Sequence, residues 1–134
     1  MKKVITFGVF DYFHFGHLRL IENASKYGDY LIVAVQDEAY IKKYKPNTDI
    51  LYSTEQRIEM LRALRAVDEV VLYSDVSESI KLFDFDVFAV GADQQHSGFQ
   101  KAIEYCNANG KEVVRLERTQ GISSTLIRKE LLKD

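Results

Sequence analysis

Two histidines, His14 and His17, stand three residues apart around Gly16 in "GVFDYFHFGH", directly after the apolar run "KVITFG". Such a pair marks a metal site, an acid/base pair or a purely structural feature, and the neighbouring residues must decide. A zinc site is poorly supported, because the chain has no HExxH and no third obvious ligand nearby, so no protein metal site is assigned. The apolar run reads as a strand ending at Gly8, and the following helix starts near Gly16 or His17. Both imidazoles therefore fall where a strand runs into a helix N-terminus, whose unpaired N–H groups and positive dipole end favour an anion. Gly8 and Gly16 allow the backbone to approach a ligand closely. Donors aimed at a phosphate, and at the charge that develops during displacement, are the chief tools of phosphoryl and nucleotidyl transfer. The alternative is that both histidines merely pack or cap the helix.

The rest of the chain must position that junction. Its 134 residues fit one domain, 1–134, and its 46% hydrophobic content is that of an ordinary globular protein. A net charge of −2 argues against general binding to nucleic acid or a membrane surface, so any phosphate handling has to come from a local cluster of positive groups. The one cysteine, Cys106, excludes an intrachain disulfide and reads as a packing residue. The N-terminal apolar run is too short for a signal peptide and no stretch reaches membrane-span length, so a cytoplasmic protein is expected.

Short apolar runs alternate with helical patterns. Strands are expected at 2–7 or 3–8, 29–36, 69–73, 86–91 and 111–117. Helices are expected from about 17 to a stop at Gly28, over 53–67 with Ser53 and Gln56 spaced as a capping box, over 77–83, over 98–109 and over 123–132. Residues 37–52, lysine-rich and broken by Pro46, read as a long loop. Five buried strands separated by helices predict a Rossmann-like three-layer α/β/α sandwich on a five-stranded parallel sheet, with ligands at the carboxyl ends of the strands.

The first junction resembles the HxGH signature of the nucleotidyltransferase superfamily that shares its fold with class I aminoacyl-tRNA synthetases. About 100 residues later, "RTQGISST" (118–125) resembles the second signature in its cytidylyltransferase form. The likeness runs over nearly the whole chain, through "GDYLIVAV", "VDEVV" and "DVFAVGAD". It is nearest to the glycerol-3-phosphate cytidylyltransferases, with the ethanolamine- and choline-phosphate enzymes further off.

That resemblance implies CMP transfer from CTP, with Mg²⁺, to a phosphorylated small acceptor. It implies that His14 and His17 contact the phosphates and stabilise the transition state, with Gly8, Val9, Phe10 and Gly16 on the nucleotide. Arg118, Thr119, Gly121, Ile122, Ser123 and Ser124 are assigned to CTP, with Arg118 also catalytic. Physically, Arg118 offers a fork of donors, and Ser123 and Ser124 at a helix start can hold the β and γ phosphates; the plain alternative for Ser123 is an N-cap.

Lys43 and Lys45 match a lysine pair that such enzymes place on a mobile loop over the substrates, Lys43 being read as catalytic and Lys45 as nucleotide-binding; the bland alternative for "YIKKYKPN" is a solvated lysine-rich loop. Arg65, near the end of the second helix, aligns with an arginine near the phosphates, and Arg57 is read the same way; either could instead be a charge serving the helix dipole. Asp11 is carried over as an acceptor-side position, with an Asx-type turn as its alternative, and Asp93 as a base or ribose contact, with a turn-forming role as its alternative.

Two departures bear on the acceptor. The chain has no Trp and reads "YSDVSES" after the third strand, and "GADQQHSGFQ" follows the fourth. The side-chain amide of Gln94 is read as acceptor-binding, able to bond carbonyl or amide groups. A homodimer and a role in capsule, teichoic-acid or lipid precursor synthesis follow by analogy. The competing readings are an adenylyltransferase of a cofactor pathway and a catalytically silent nucleotide-binding regulator. No GxGxxG or P-loop is present.

Overall fold

The computed structural model describes residues 1–117. The expected helix over 123–132 and the second signature, with Arg118, Thr119, Gly121, Ile122, Ser123 and Ser124, lie outside the described residues. Among the described residues no helix is long and apolar enough to cross a membrane.

Five strands form one sheet: β1 (Lys3–Gly8), β2 (Tyr30–Gln36), β3 (Glu69–Tyr73), β4 (Val87–Val90) and β5 (Glu112–Arg115). Their order is β3-β2-β1-β4-β5, with every pairing parallel. The helices are α1 (Phe15–Ser25), α2 (Glu38–Tyr44), α3 (Thr54–Arg62), α4 (Val76–Ser79), which runs on into a 3₁₀ turn at Ile80–Leu82, and α5 (Ser97–Ala108).

Strand periodicity sorts the core into two halves. Val4, Leu31, Val33, Val87 and Ala89 face Ile21 and Ala24 of α1 and Leu61 of α3. Their neighbours Ile5, Phe7, Ile32, Ala34, Phe88 and Val90 face α4 and α5, meeting Val76, Phe99, Ala102 and Cys106. Side chains that alternate across a sheet covered on both faces produce near-continuous apolar strands. Phe7 is fully buried and packs edge-on against Tyr73 and Phe88 at 4.9 and 5.6 Å. Burial of that kind contributes roughly 1.5–3 kcal/mol per side chain. The result is the Rossmann-like three-layer arrangement, with Cys106 buried in it as a packing residue.

The order also fixes where a ligand can sit. Chain growth moves outward from β1 through β2 to β3, then returns past β1 to β4. The switch point is therefore at β1/β4, and the crevice opens at the carboxyl ends of those strands.

Two expectations are corrected. Residues 37–52 are not all loop: α2 occupies Glu38–Tyr44, N-capped by the Asp37 carboxylate on the Ala39 N–H at 3.3 Å. A Glu38–Lys42 ion pair at 3.1 Å and a Tyr40–Tyr44 ring pair at 4.5 Å, both four residues apart, complete a short helix that Pro46 ends rather than prevents. The helix expected over 53–67 has the Ser53/Gln56 capping box but ends at Arg62, so Arg65 lies in the turn beyond it and is exposed.

Candidate active site

The first junction folds as a tight, strained turn. Phe10 and Tyr12 hold left-handed backbone angles (φ 57° and 50°), a conformation that non-glycine residues adopt at a cost and that clusters at functional sites. The Phe10 ring folds back over Gly8, where an added Cβ would lie 2.9 Å from it, so any side chain there would displace the ring. Phe10 also packs edge-on against His17 at 5.5 Å. Gly8 thus serves the turn itself, in addition to bringing backbone to the crevice.

Two long-range clamps hold this turn. The Asp11 carboxylate, 4% exposed, accepts the N–H groups of Leu51 (2.8 Å) and Tyr52 (3.0 Å), tying the turn to the segment before α3. Arg57 is fully buried in α3. Its guanidinium donates to the carbonyls of Val9 (2.9 Å), Gln36 (2.8 Å) and Tyr52 (3.2 Å) and to the Thr54 hydroxyl (3.2 Å). It joins the carboxyl ends of β1 and β2 to the start of α3. Among the described residues, Asp11, read from the sequence as an acceptor-side position, and Arg57, read as a phosphate contact, brace the turn through these bonds. Burial lowers the arginine's pKa, opposed chiefly by the negative charge of Asp11; a guanidinium nonetheless keeps its proton in a protein.

His14 is the N-cap of α1. Its Nδ1 accepts from the N–H of Gly16 (3.0 Å) and of His17 (3.4 Å), while His17 Nδ1 accepts from the His14 N–H (3.3 Å). The pair forms a capping box made of two imidazoles, stacked 3.9 Å apart. Capping and ligand binding were opposed alternatives in the sequence, yet the geometry allows both. With each Nδ1 used as an acceptor, the proton of each neutral ring resides on Nε2, which is left to donate. Burial holds both rings below the usual histidine range, His17 down to about 4, where the charge of His14 adds to the effect and that of Asp11 opposes it. Both rings are therefore neutral at physiological pH, each with its proton on Nε2. The expectation that the α1 amides stand open to an anion is corrected: the Gly16 and His17 N–H groups are taken by His14.

Beside this turn a cleft of about 360 Å³ opens at the carboxyl edge of the sheet, on the α4/α5 side. Gly8 and Val9 line it from the end of β1, Tyr73 and Asp75 from the end of β3, and Lys45 and His96 line it as well. Gln36, Tyr40 and Gln94 also line it. Lys45 is thus brought to the site, whereas Lys43 is exposed on the last turn of α2 with Nζ 5.4 Å from the Tyr44 ring and does not line the cleft. Lys42 is engaged by Glu38. Asp93 is exposed in the turn after β4. Arg65 does not line the cleft either.

Tyr40, Tyr73, Asp75 and His96 were not picked out from the sequence. His96 N-caps α5 through Nδ1 and the Gly98 N–H (3.1 Å), and its pKa is lowered by burial and then by Lys45, with Asp75 opposing. A histidine immediately before a helix was the available signal. Among the described residues no group of three or more His, Cys, Asp or Glu side chains is gathered to hold a metal ion.

Residues 5–130 match the cytidylyltransferase-like family. The chain is 40% identical over 135 aligned positions to a glycerol-3-phosphate cytidylyltransferase from Bacillus spizizenii, covering 98% of each protein. It is 38% identical to one from Staphylococcus aureus, covering 98% of this chain and 96% of that one. Among solved structures, a lipopolysaccharide core biosynthesis protein from Thermoplasma volcanium superposes with a TM-score of 0.71 at 23% identity, over 89% of this chain and 97% of that one, a likeness of fold.

Proposed function

The chain belongs to the cytidylyltransferase-like family, and we propose that it transfers CMP from CTP to a phosphorylated small acceptor, glycerol 3-phosphate or another polar phosphorylated compound, releasing pyrophosphate. The relatives' names supply the reaction and the first acceptor to test. The observation that supports the reading is the reciprocal cap of His14 and His17, which leaves each ring a neutral Nε2–H donor in the turn that follows Gly8 and Val9 of the cleft wall, although neither histidine itself lines the cleft.

An acceptor phosphate oxygen attacks the α-phosphorus of CTP; its lone pair forms the new P–O bond as the bond to the β-phosphate oxygen breaks, and that electron pair leaves on pyrophosphate. The nucleophile is already anionic, so no general base and no covalent enzyme intermediate is required. The chain's part is positioning and charge. His14 and His17 donate to the α-phosphate oxygens, Lys45 draws a phosphate into the cleft, and Asp75, His96 and Tyr40 meet the remainder of the acceptor. The second signature, Arg118 to Ser124, takes the triphosphate. A magnesium ion carried by the triphosphate would neutralise part of its charge and assist the departure of pyrophosphate. A homodimer, a cytoplasmic location and a role in surface-polysaccharide, teichoic-acid or lipid precursor synthesis belong to the same proposal.

The test is a pyrophosphate-release assay with CTP or ATP, Mg²⁺ and a panel of polyol, sugar, amino-alcohol and amide phosphates, with products identified by mass. A CDP-linked product is expected. Preference for ATP would overturn the nucleotide assignment, and tight CTP binding without turnover of any acceptor would favour a silent regulator.

A further inference from the structure

We infer that Gln94 is a positioning residue that wedges β1 and β4 apart and so holds the switch-point crevice open. β1 pairs with β2 along its whole length, from Lys3↔Tyr30 to Gly8↔Val35, but with β4 only at Val4↔Val87 and Ile5↔Phe88. Carried forward, that β1/β4 register would join the Phe7 carbonyl directly to the Gly91 N–H. It does not, because the Gln94 amide stands between them: Nε2 donates to the Phe7 carbonyl at 2.6 Å, and Oε1 accepts from the Gly91 N–H at 2.9 Å.

The orientation of the amide is dictated by its partners, since a carbonyl needs a donor and an N–H an acceptor. One primary amide thus replaces one rung of a parallel ladder, giving the Phe7 carbonyl and the Gly91 N–H a partner each. Gly91 is held from its other side as well, its carbonyl accepting from the Gln94 N–H (3.1 Å) and from Arg115 (3.3 Å). An alanine-like Cβ at Gly91 would press on Leu20 at 3.2 Å and on Gln94 at 3.4 Å, so the seat of the wedge is close-fitting.

The functional consequence follows from place. Phe7 immediately precedes Gly8 and Val9, which carry the strained turn to His14, while Gly91 leads into Asp93. On the CMP-transfer reading given above, the wedge sets the distance between the histidine turn and the β4 loop. Although Gln94 lines the cleft and keeps a second N–H, its amide is fixed by these two main-chain bonds, and on this proposal it acts through the groups it spaces. Misplacement of reacting groups by about 1 Å costs up to about 100-fold in rate.

The experiment compares Gln94→Ala and Gln94→Glu with the unaltered chain, measuring kcat, both KM values and thermal stability from pH 5 to 8.5. In Gln94→Ala the Phe7 and Gly91 groups pair directly; the protein stays folded, the crevice narrows, and kcat falls on the order of 10-fold or more with the acceptor KM little changed. In Gln94→Glu the ionised carboxylate repels the Phe7 carbonyl, but the protonated acid restores both bonds. Its kcat relative to the unaltered chain therefore rises as pH falls, in a window above the usual glutamate pKa because the charged form is disfavoured there. Taking the ratio at each pH cancels the acceptor phosphate's own titration.

A rise in acceptor KM at constant kcat would make Gln94 an acceptor ligand and overturn the wedge, as would kcat values within twofold of the unaltered chain at every pH. If the unaltered chain turned over no acceptor with CTP, the CMP-transfer reading would fall on its own. The Gly91 amide resonance of Gln94→Glu must still titrate, and a resonance indifferent to pH would reject the wedge.

Discussion

The rings of His14 and His17 lie 3.9 Å apart and 17° from parallel, and each Nδ1 receives a main-chain N–H from within the same turn. Stacked this closely, two imidazolium ions would repel each other, and both rings would lose their acceptor atoms on protonation. The pair is therefore stable as two neutral rings with Nε2–H outward from the cap.

Asparagine can imitate the Nδ1 acceptor of either histidine but supplies no donor at the Nε2 position. His14→Asn and His17→Asn are expected to keep the α1 cap, with melting temperatures close to the parent, while turnover falls on the order of 100-fold or more, as for loss of one oxyanion-type donor. Near-parental pyrophosphate release by both variants would refute the transition-state role.

His17 gives a signed pH effect on stability. Its folded pKa of about 4 lies below the ordinary 6.5, so the unfolded chain takes up a proton first as pH falls. The stabilisation is fully present above about pH 6.5 and is lost progressively from there towards pH 4, amounting to on the order of 1–3 kcal/mol. Urea unfolding at pH 7 and pH 4.5 reads this directly. In His17→Asn the same pH interval should produce a smaller loss; an equal loss would assign it to other groups.

Removing Arg57 takes this donor from the carbonyls of Val9, Gln36 and Tyr52, while the Thr54 hydroxyl oxygen keeps the Glu38 N–H at 3.1 Å. At about 1–3 kcal/mol for each buried group left unsatisfied, Arg57→Met should destabilise by roughly 3 kcal/mol or more. Arg57→Lys keeps the charge but not the fork, and should recover only part. Denaturant midpoints separate the three proteins, and a cost below about 1 kcal/mol for Arg57→Met would contradict the bracing role.

Lys43 and Lys45, alike in the sequence, should behave differently. Lys45 lines the cleft and Lys43 does not. Lys45→Ala is expected to raise the acceptor KM by about 10-fold, as for loss of one charge-assisted contact of roughly 1.5 kcal/mol, while Lys43→Ala changes it by less than about threefold. The reverse order would place the acceptor elsewhere.

Asp11→Ala should free the amides of Leu51 and Tyr52, detectable as faster hydrogen exchange confined to the segment before α3. Unchanged protection at both amides would show that the clamp is dispensable.

Much of this was legible in the chain. The five strands and the Ser53/Gln56 box follow from apolar period and cap chemistry, which are local rules. α2 was missed because Pro46 and three lysines look like loop; seven residues are too few for a clear period, and its Glu38–Lys42 and Tyr40–Tyr44 pairs emerge only once the turn is formed. Helix α3 was overextended because Ala63 to Ala66 continue its pattern, although the chain must turn there to enter β3.

The sequence by itself determined that a β–α junction carrying His14, Gly16 and His17 would stand at the carboxyl edge of a parallel sheet, since motif spacing, strand composition and helix caps all act within a few residues. Only the tertiary structure decided that Arg57 and Asp11 brace that junction, that Lys45 rather than Lys43 lines the cleft, and that Gln94 replaces a rung between β1 and β4. The reason is distance along the chain: these bonds join residues up to 87 positions apart, and such partners are chosen by strand order and packing, which no local spacing encodes.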